Sequence, residues 1–165
     1  MRYISITSPD INNGLGFRVT LWISGCKCHC KGCHNPETWN FMAGKEFDDS
    51  AMNDLLDKLS KPYIKGLTLS GGNPTDSNPK ELLHIIKTVK NKFPEKDIWM
   101  FSGNYLEDLM KRDDLSEVLQ SIDVLVDGPF IIKDKDVHIA FRGSTNQRIW
   151  KKDPKTDEFV ISKLS

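Results

Sequence analysis

The sequence predicts an α/β fold: a parallel sheet whose strands are joined by helices, left curved or rolled into an open, partial barrel. Three observations carry that expectation. Hydrophobic patterns of period two and period 3.6 alternate along the chain. The strand-like runs end in glycines or in a cysteine-rich loop. They number four, too few for an eight-fold barrel. Strands separated by helices pair in parallel through right-handed crossovers, and such sheets bind ligands at the carboxyl ends of their strands.

The elements follow in order. "FRVTLWIS" sets Phe17, Val19, Leu21 and Ile23 on one side of an extended segment and Arg18, Thr20, Trp22 and Ser24 on the other, then runs into the cysteines. "DDSAMNDLLDKLSK" repeats Met52, Leu55, Leu56 and Leu59 as a helical stripe. "GLTLSGG" reads as a short buried strand closed by two glycines. In the next helix Asn78 is the cap, Pro79 fits the first turn, and Glu81 completes a capping box. Its apolar face is Leu82, Ile85, Ile86 and Val89. "DIWMFSG" is the third strand. Asn104 and Glu107 repeat the capping-box spacing before Leu106, Leu109 and Met110, and a second apolar set follows at Leu115, Val118, Leu119 and Ile122. "DVLVDGPF" supplies the fourth strand. From about residue 151, "KKDPKTDEF" reads as an exposed polar tail. With no internal repeat, low-complexity segment or second domain, residues 1–165 are expected to form a single domain.

Composition narrows function. Hydrophobic residues make up 38% and charged residues 28%, and 23 Lys and Arg balance 23 Asp and Glu. That balance leaves no electrostatic footprint for nucleic acid or an anionic membrane. "MRYISITSPDI" lacks the apolar core of a signal peptide, and no apolar run reaches the length of a membrane span, so a cytoplasmic location is expected.

Every cysteine lies in one loop, residues 24–39: Cys26, Cys28, Cys30 and Cys33. A disulfide framework spreads its thiols to close long loops, whereas clustered thiols in a reducing compartment point to a metal. A zinc knuckle of three cysteines and a histidine satisfies the spacing. Yet four loops are expected on one rim: the cysteine loop, Gly71-Gly72, Ser102-Gly103 and Asp127-Gly128 each follow a strand. A peripheral knuckle needs no such convergence. Cys30 and Cys33 stand three apart with Gly32 between them, and Cys26, four residues earlier, closes a third side. Four cysteines on one cubane saturate every iron and permit only electron carriage, whereas three leave one iron open for substrate. Spacing alone leaves both arrangements open. With three ligands, Cys26, Cys30 and Cys33 make a C-x3-C-x2-C spacing that leaves Cys28 as the extra, which marks it as the bystander.

The C-x3-C-x2-C pattern at Cys26, Cys30 and Cys33, with "LSGGNP" after the next strand, resembles the radical S-adenosylmethionine superfamily. Within it, "DINNGLGFRVTLWISGC", "GCHNPETW", "GLTLSGGNP", "KDIWMFSGNYLEDL", "DVLVDGPF" and "RGSTNQRIW" together resemble the family that activates anaerobic ribonucleoside-triphosphate reductase. The resemblance implies a reduced-size radical S-adenosylmethionine partial (β/α) barrel and a [4Fe-4S] cluster on Cys26, Cys30 and Cys33. The open iron would chelate the amine and carboxylate of S-adenosylmethionine. One electron, from a donor such as flavodoxin, would cleave the sulfonium to methionine and a 5′-deoxyadenosyl radical. That radical would take a hydrogen atom from the α-carbon of one glycine in the large catalytic subunit of the reductase.

The same resemblance implies roles for neighbouring residues. Gly71 and Gly72 would let the backbone approach the methionyl amine, although glycines after a strand also make a plain tight turn. Asn73 stands where the family usually has an acidic residue; it keeps an acceptor oxygen without the charge. Gly32, Cys33 and His34 would meet adenine through backbone groups. His34 also suits a loop-filling role, His29 reads as solvated, and Trp39 suits a shield of the cluster from water but reads as an ordinary buried aromatic. Asp127 either faces the cofactor or forms a turn. "FRGSTNQR", Phe141 to Arg148, lies outside the regular elements and by family match faces substrate or partner. It separates this family from other small radical enzymes, such as the pyruvate formate-lyase activator or a deazapurine-forming synthase. A fully ligated electron carrier and a zinc protein are the non-catalytic alternatives.

Overall fold

In the computed structural model, which describes residues 1–165, the alternating patterns become an eight-stranded sheet. The strands are β1 Arg2–Asp10, β2 Phe17–Ile23, β3 Lys45–Glu46, β4 Ile64–Gly71, β5 Asp97–Phe101, β6 Val124–Asp127, β7 Arg148–Lys152 and β8 Phe159–Ile161. The helices are α1 Asp49–Leu59, α2 Pro79–Lys92, α3 Leu106–Leu109 and α4 Ser116–Ser121. Strand order is β3-β1-β2-β4-β5-β6-β7-β8, so the sheet is mixed and not closed. The four strands legible in the sequence are its parallel centre, β2-β4-β5-β6.

Burial explains that centre. Val19, Leu21, Ile23, Leu67, Leu69, Ile98, Met100 and Leu125 meet the apolar faces of α1, α2 and α4 in one core. Each such side chain contributes about 1.5–3 kcal/mol on leaving water. The alternate positions of β2 are also covered. Arg18 is wholly buried, donating to Thr68 Oγ1 at 2.7 Å and Leu67 O at 2.8 Å and pairing with Asp97 at 2.8 Å. Burial pulls its pKa down against the opposing pull of Asp97.

The edges differ from expectation. β1 pairs antiparallel with β2, and β3 with β1. Ser5, Thr7 and Pro9 dilute the apolar pattern of β1, which hides it in the sequence. The polar tail expected from about residue 151 is exposed but ordered. β7 runs antiparallel to β6 and β8 to β7, with Ile149 buried against Trp99, Val124 and Val126. A β-hairpin whose outer face meets water carries Lys and Glu, which resembles a tail in composition.

The helix signals are partly rerouted. Asn78 caps α2 by accepting from the Lys80 and Glu81 N–H groups. Glu81 does not close the box; its carboxylate pairs with the Met1 ammonium. The expected Asn104–Glu107 box is absent. The Leu106 N–H donates to Asp127 Oδ2 at 2.7 Å, and Glu107 pairs with Arg148. α3 is only four residues long, with a 3-10 turn at Asp113–Leu115 before α4. No helix is long and apolar enough to cross a membrane.

Candidate functional site

The parallel strands set their carboxyl ends on one rim, and a cleft of about 730 Å³ opens there. All four cysteines line it, with Gly71, Gly72, Ser102, Gly103 and Gly128 from the neighbouring strand ends. The convergence expected from the order of elements is therefore present.

The cysteine loop is tied down at both ends. The Gly25 N–H donates to Thr38 O at 2.7 Å and the Cys26 N–H to Trp39 O at 3.2 Å. The Gly72 N–H donates to Ile23 O and the Asn73 N–H to Gly25 O, both at 2.8 Å. This stitching depends on the glycine pair. A Cβ on Gly72 would stand 2.3 Å from Gly25 O, and Gly71 has φ +103° with a Cβ position 2.6 Å from backbone atoms of Ile23. Glycine alone accepts both conditions without strain.

The thiols fall into two pairs. Cys28 donates to Cys26, and that hydrogen bond, with backbone N–H groups of Cys28 and His29, draws Cys26 down to about 6 against the effect of burial. Cys28, as the donor in a partly buried place, is pushed up. Cys30 is raised chiefly by burial. The Cys33 N–H closes a turn onto Cys30 O at 3.1 Å, and the Asn35 N–H donates to Cys33 Sγ at 3.4 Å. The compact set of donor atoms is Cys26, Cys28 and Asp76, all within 4.8 Å of one another. Cys26, Cys30 and Cys33 are more widely spread around the cleft. Thiolates on different irons of a cubane also stand farther apart than thiolates around a single ion, so soft donors spread over one concave wall fit a cluster.

The other expected residues divide. Cys33, His34, Gly71 and Gly72 line the cleft; Gly32 and Asn73 do not. Gly32 is exposed with φ +79°, its Cβ position 2.7 Å from Ile132. The Asn73 side chain is buried and fully engaged. Its Oδ1 accepts from Thr75 at 2.8 Å and Ser102 at 3.2 Å, and its Nδ2 donates to Asn104 at 2.8 Å and Asp76 at 3.1 Å. His34 packs against Phe130, with ring centroids 5.6 Å apart. His29 is exposed and stacks on Trp39 at 4.7 Å. Trp39 is half-buried and lines the cleft rather than the core.

Asp127 is buried away from the cleft, accepting from Leu106 and Arg148, so its role is capping and bracing. In the 141–147 segment, Gln147 Nε2 donates to Gly128 O at 2.9 Å and Asn146 Nδ2 to Pro129 O at 2.8 Å. That strap sets Phe141, Arg142 and Gly143 on the cleft wall. Sequence reasoning missed Asp10, Asn12 and Asn13, which form the opposite wall. Asp10 accepts from the Asn12 N–H at 2.8 Å, Asn13 Nδ2 at 2.7 Å and Thr20 Oγ1 at 2.7 Å. The "DINN" run, an Asx-type turn signal, was their visible trace.

A family model described as a 4Fe-4S single cluster domain matches residues 12–150. Proteins named anaerobic ribonucleoside-triphosphate reductase-activating protein are similar over almost the whole chain. The one from Enterobacteria phage T4 is 41% identical over 151 residues, 91% of this chain and 94% of its own. That of Haemophilus influenzae is 43% identical over 152 residues, 90% and 97% of the two chains. That of Escherichia coli K12 is 37% identical over 150 residues, 89% and 96%. With its thiols gathered in one cleft and these relatives aligned from end to end, the chain belongs to the family of anaerobic ribonucleoside-triphosphate reductase-activating proteins and carries its iron-sulfur domain.

Proposed function

We propose that this protein activates anaerobic ribonucleoside-triphosphate reductase as a radical S-adenosylmethionine enzyme, residues 1–165 acting as one domain on a reduced partial barrel. The observation that carries the reading is the gathering of the cysteine loop and the Gly71-Gly72 turn in one cleft at the strand ends. In this reading Cys26, Cys30 and Cys33 hold the [4Fe-4S] cluster and leave one iron for S-adenosylmethionine. When bound, the pair supplies one-electron reductive cleavage of the sulfonium and hydrogen abstraction from a glycine of the reductase's large catalytic subunit.

The chain's own residues bind, orient and shield. Cys26 leaves the end of β2 with its loop pinned to Thr38 and Trp39, which fixes the backbone of a residue that would hold the cluster. The backbone of Gly71 and Gly72 meets the methionyl end, and backbone groups of Cys33 and His34, which line the cleft, meet adenine, with Gly32 turning the loop just outside it. Asn73 serves that site by position: its side chain spans Thr75, Ser102, Asn104 and Asp76 while its N–H holds Gly25. Phe101, Phe130 and Phe141 on the cleft wall exclude water and competing hydrogen donors. A reductant such as flavodoxin delivers the electron, in the cytoplasm. The alternatives in the same superfamily, a pyruvate formate-lyase activator or a deazapurine-forming synthase, lack support from the relatives.

A second reading is favoured by one contact. The Cys28 thiol lies within 4.8 Å of that of Cys26, so a fourth thiol stands beside the proposed ligands. If all four bind, the protein only carries electrons. Anaerobic reconstitution of variants separates the two. Cys28→Ala is expected to keep the brown cluster and form 5′-deoxyadenosine, whereas Cys30→Ala loses both. Loss of the cluster in Cys28→Ala would select the electron carrier.

A further inference from the structure

The proposed function leaves Cys28 and Asp76 unused, yet they stand with Cys26 in the compact donor set, all three ligand atoms within 4.8 Å of one another. The geometry points to a second metal site: in the cluster-free protein, Cys26, Cys28 and Asp76 hold a single divalent cation of the zinc or ferrous class. The donors suit it, because two thiolates and a carboxylate are ligands that such a cation takes at about 2.0–2.3 Å. Small side-chain rotations close the remaining distance.

The donors are also held in place. Asp76 Oδ2 accepts from the Lys27 N–H at 2.8 Å and from Asn73 Nδ2 at 3.1 Å, which ties the carboxylate to the cysteine loop. Hydrogen-bonded support of that kind orients a ligating carboxylate. Cys28 is seated against Gly103, where an added Cβ would stand 2.6 Å from its Sγ. A bystander thiol needs neither a slot nor a carboxylate beside it. Since Cys26 cannot serve both sites, single-ion occupancy and cluster occupancy exclude each other. The ion therefore protects the thiols of the empty protein and must leave, or be incorporated, when the cluster is built.

This inference goes beyond the proposed function and shares only Cys26 with it. The test is an anaerobic titration of the metal-free, reduced protein with Co2+, read by thiolate-to-cobalt absorption. One equivalent is expected to bind. Cys28→Ser and Asp76→Asn should each weaken binding at least tenfold, while Cys33→Ser binds as the parent does. No binding to the parent chain, loss in Cys33→Ser, or retention in either Cys28→Ser or Asp76→Asn overturns the site. Circular dichroism shows that each variant folds. Cluster absorbance after reconstitution with iron and sulfide, lost in Cys33→Ser and kept in Asp76→Asn, reports on the cluster reading separately.

Discussion

Gly72 shows how a single residue sets the site. Its missing Cβ admits the carbonyl of Gly25, and the chain thereby brings the end of β4 against the cysteine loop. Gly72→Ala places a methyl group 2.3 Å from a backbone oxygen that no rotamer can move. We expect a loss of about 1–3 kcal/mol in a urea titration, with weaker cluster retention, whereas Gly103→Ala meets only the movable tip of Cys28 and costs less. At this scale the sequence was most informative where chemistry limits the choice. The cysteines and the glycine pair could be read because few residues bind iron or tolerate such approach. Asn73 was harder to read. Its buried side chain faces Ser102 and Asn104, partners distant in sequence that no local pattern announces.

Among the elements, α3 owes its start to a different strand. Asp127 at the end of β6 caps Leu106 and also accepts from Arg148, whose guanidinium lies over the Tyr105 and Trp150 rings at 5.0 Å and 4.8 Å. Asp127→Ala strands a buried N–H and half of that pairing, so a loss of about 2–4 kcal/mol is expected by chemical denaturation. Glu107, on the exposed side of the same arginine, behaves differently. Hydrogen bonds from Arg148 hold its pKa down at about 2, below the ordinary 4.5. Its folded-state pKa being the lower one, the contribution is fully present above 4.5 and fades as pH falls toward 2. Thermal melts of Glu107→Gln and the parent should therefore differ slightly near neutrality and converge across that acid range. The capping-box spacing at Asn104 and Glu107 misled because both side chains find stronger tertiary partners, Asn73 and Arg148, than the local helix end. Asn78 has no such competitor, and its cap forms as the spacing predicts; Asn78→Ala should cost about 1 kcal/mol.

For the molecule as a whole, the parallel centre was legible because its strands carry apolar residues in alternation or in short runs and are separated by amphipathic helices. The edge strands were not, since an edge that meets water on one side carries polar residues. The β7–β8 hairpin is the clearest case, and truncation after Gln147 should destabilise the whole chain by uncovering Trp99, Val124 and Val126 rather than trim a tail. The same sheet order aligns four loops around one cleft, where the proposed chemistry takes place. The most direct measurement is electron paramagnetic resonance of the anaerobically reconstituted, reduced protein before and after S-adenosylmethionine. A reduced-cluster signal that changes on addition, followed by 5′-deoxyadenosine, is the predicted result. A cluster signal indifferent to S-adenosylmethionine would contradict the open iron and leave all four thiols to electron carriage.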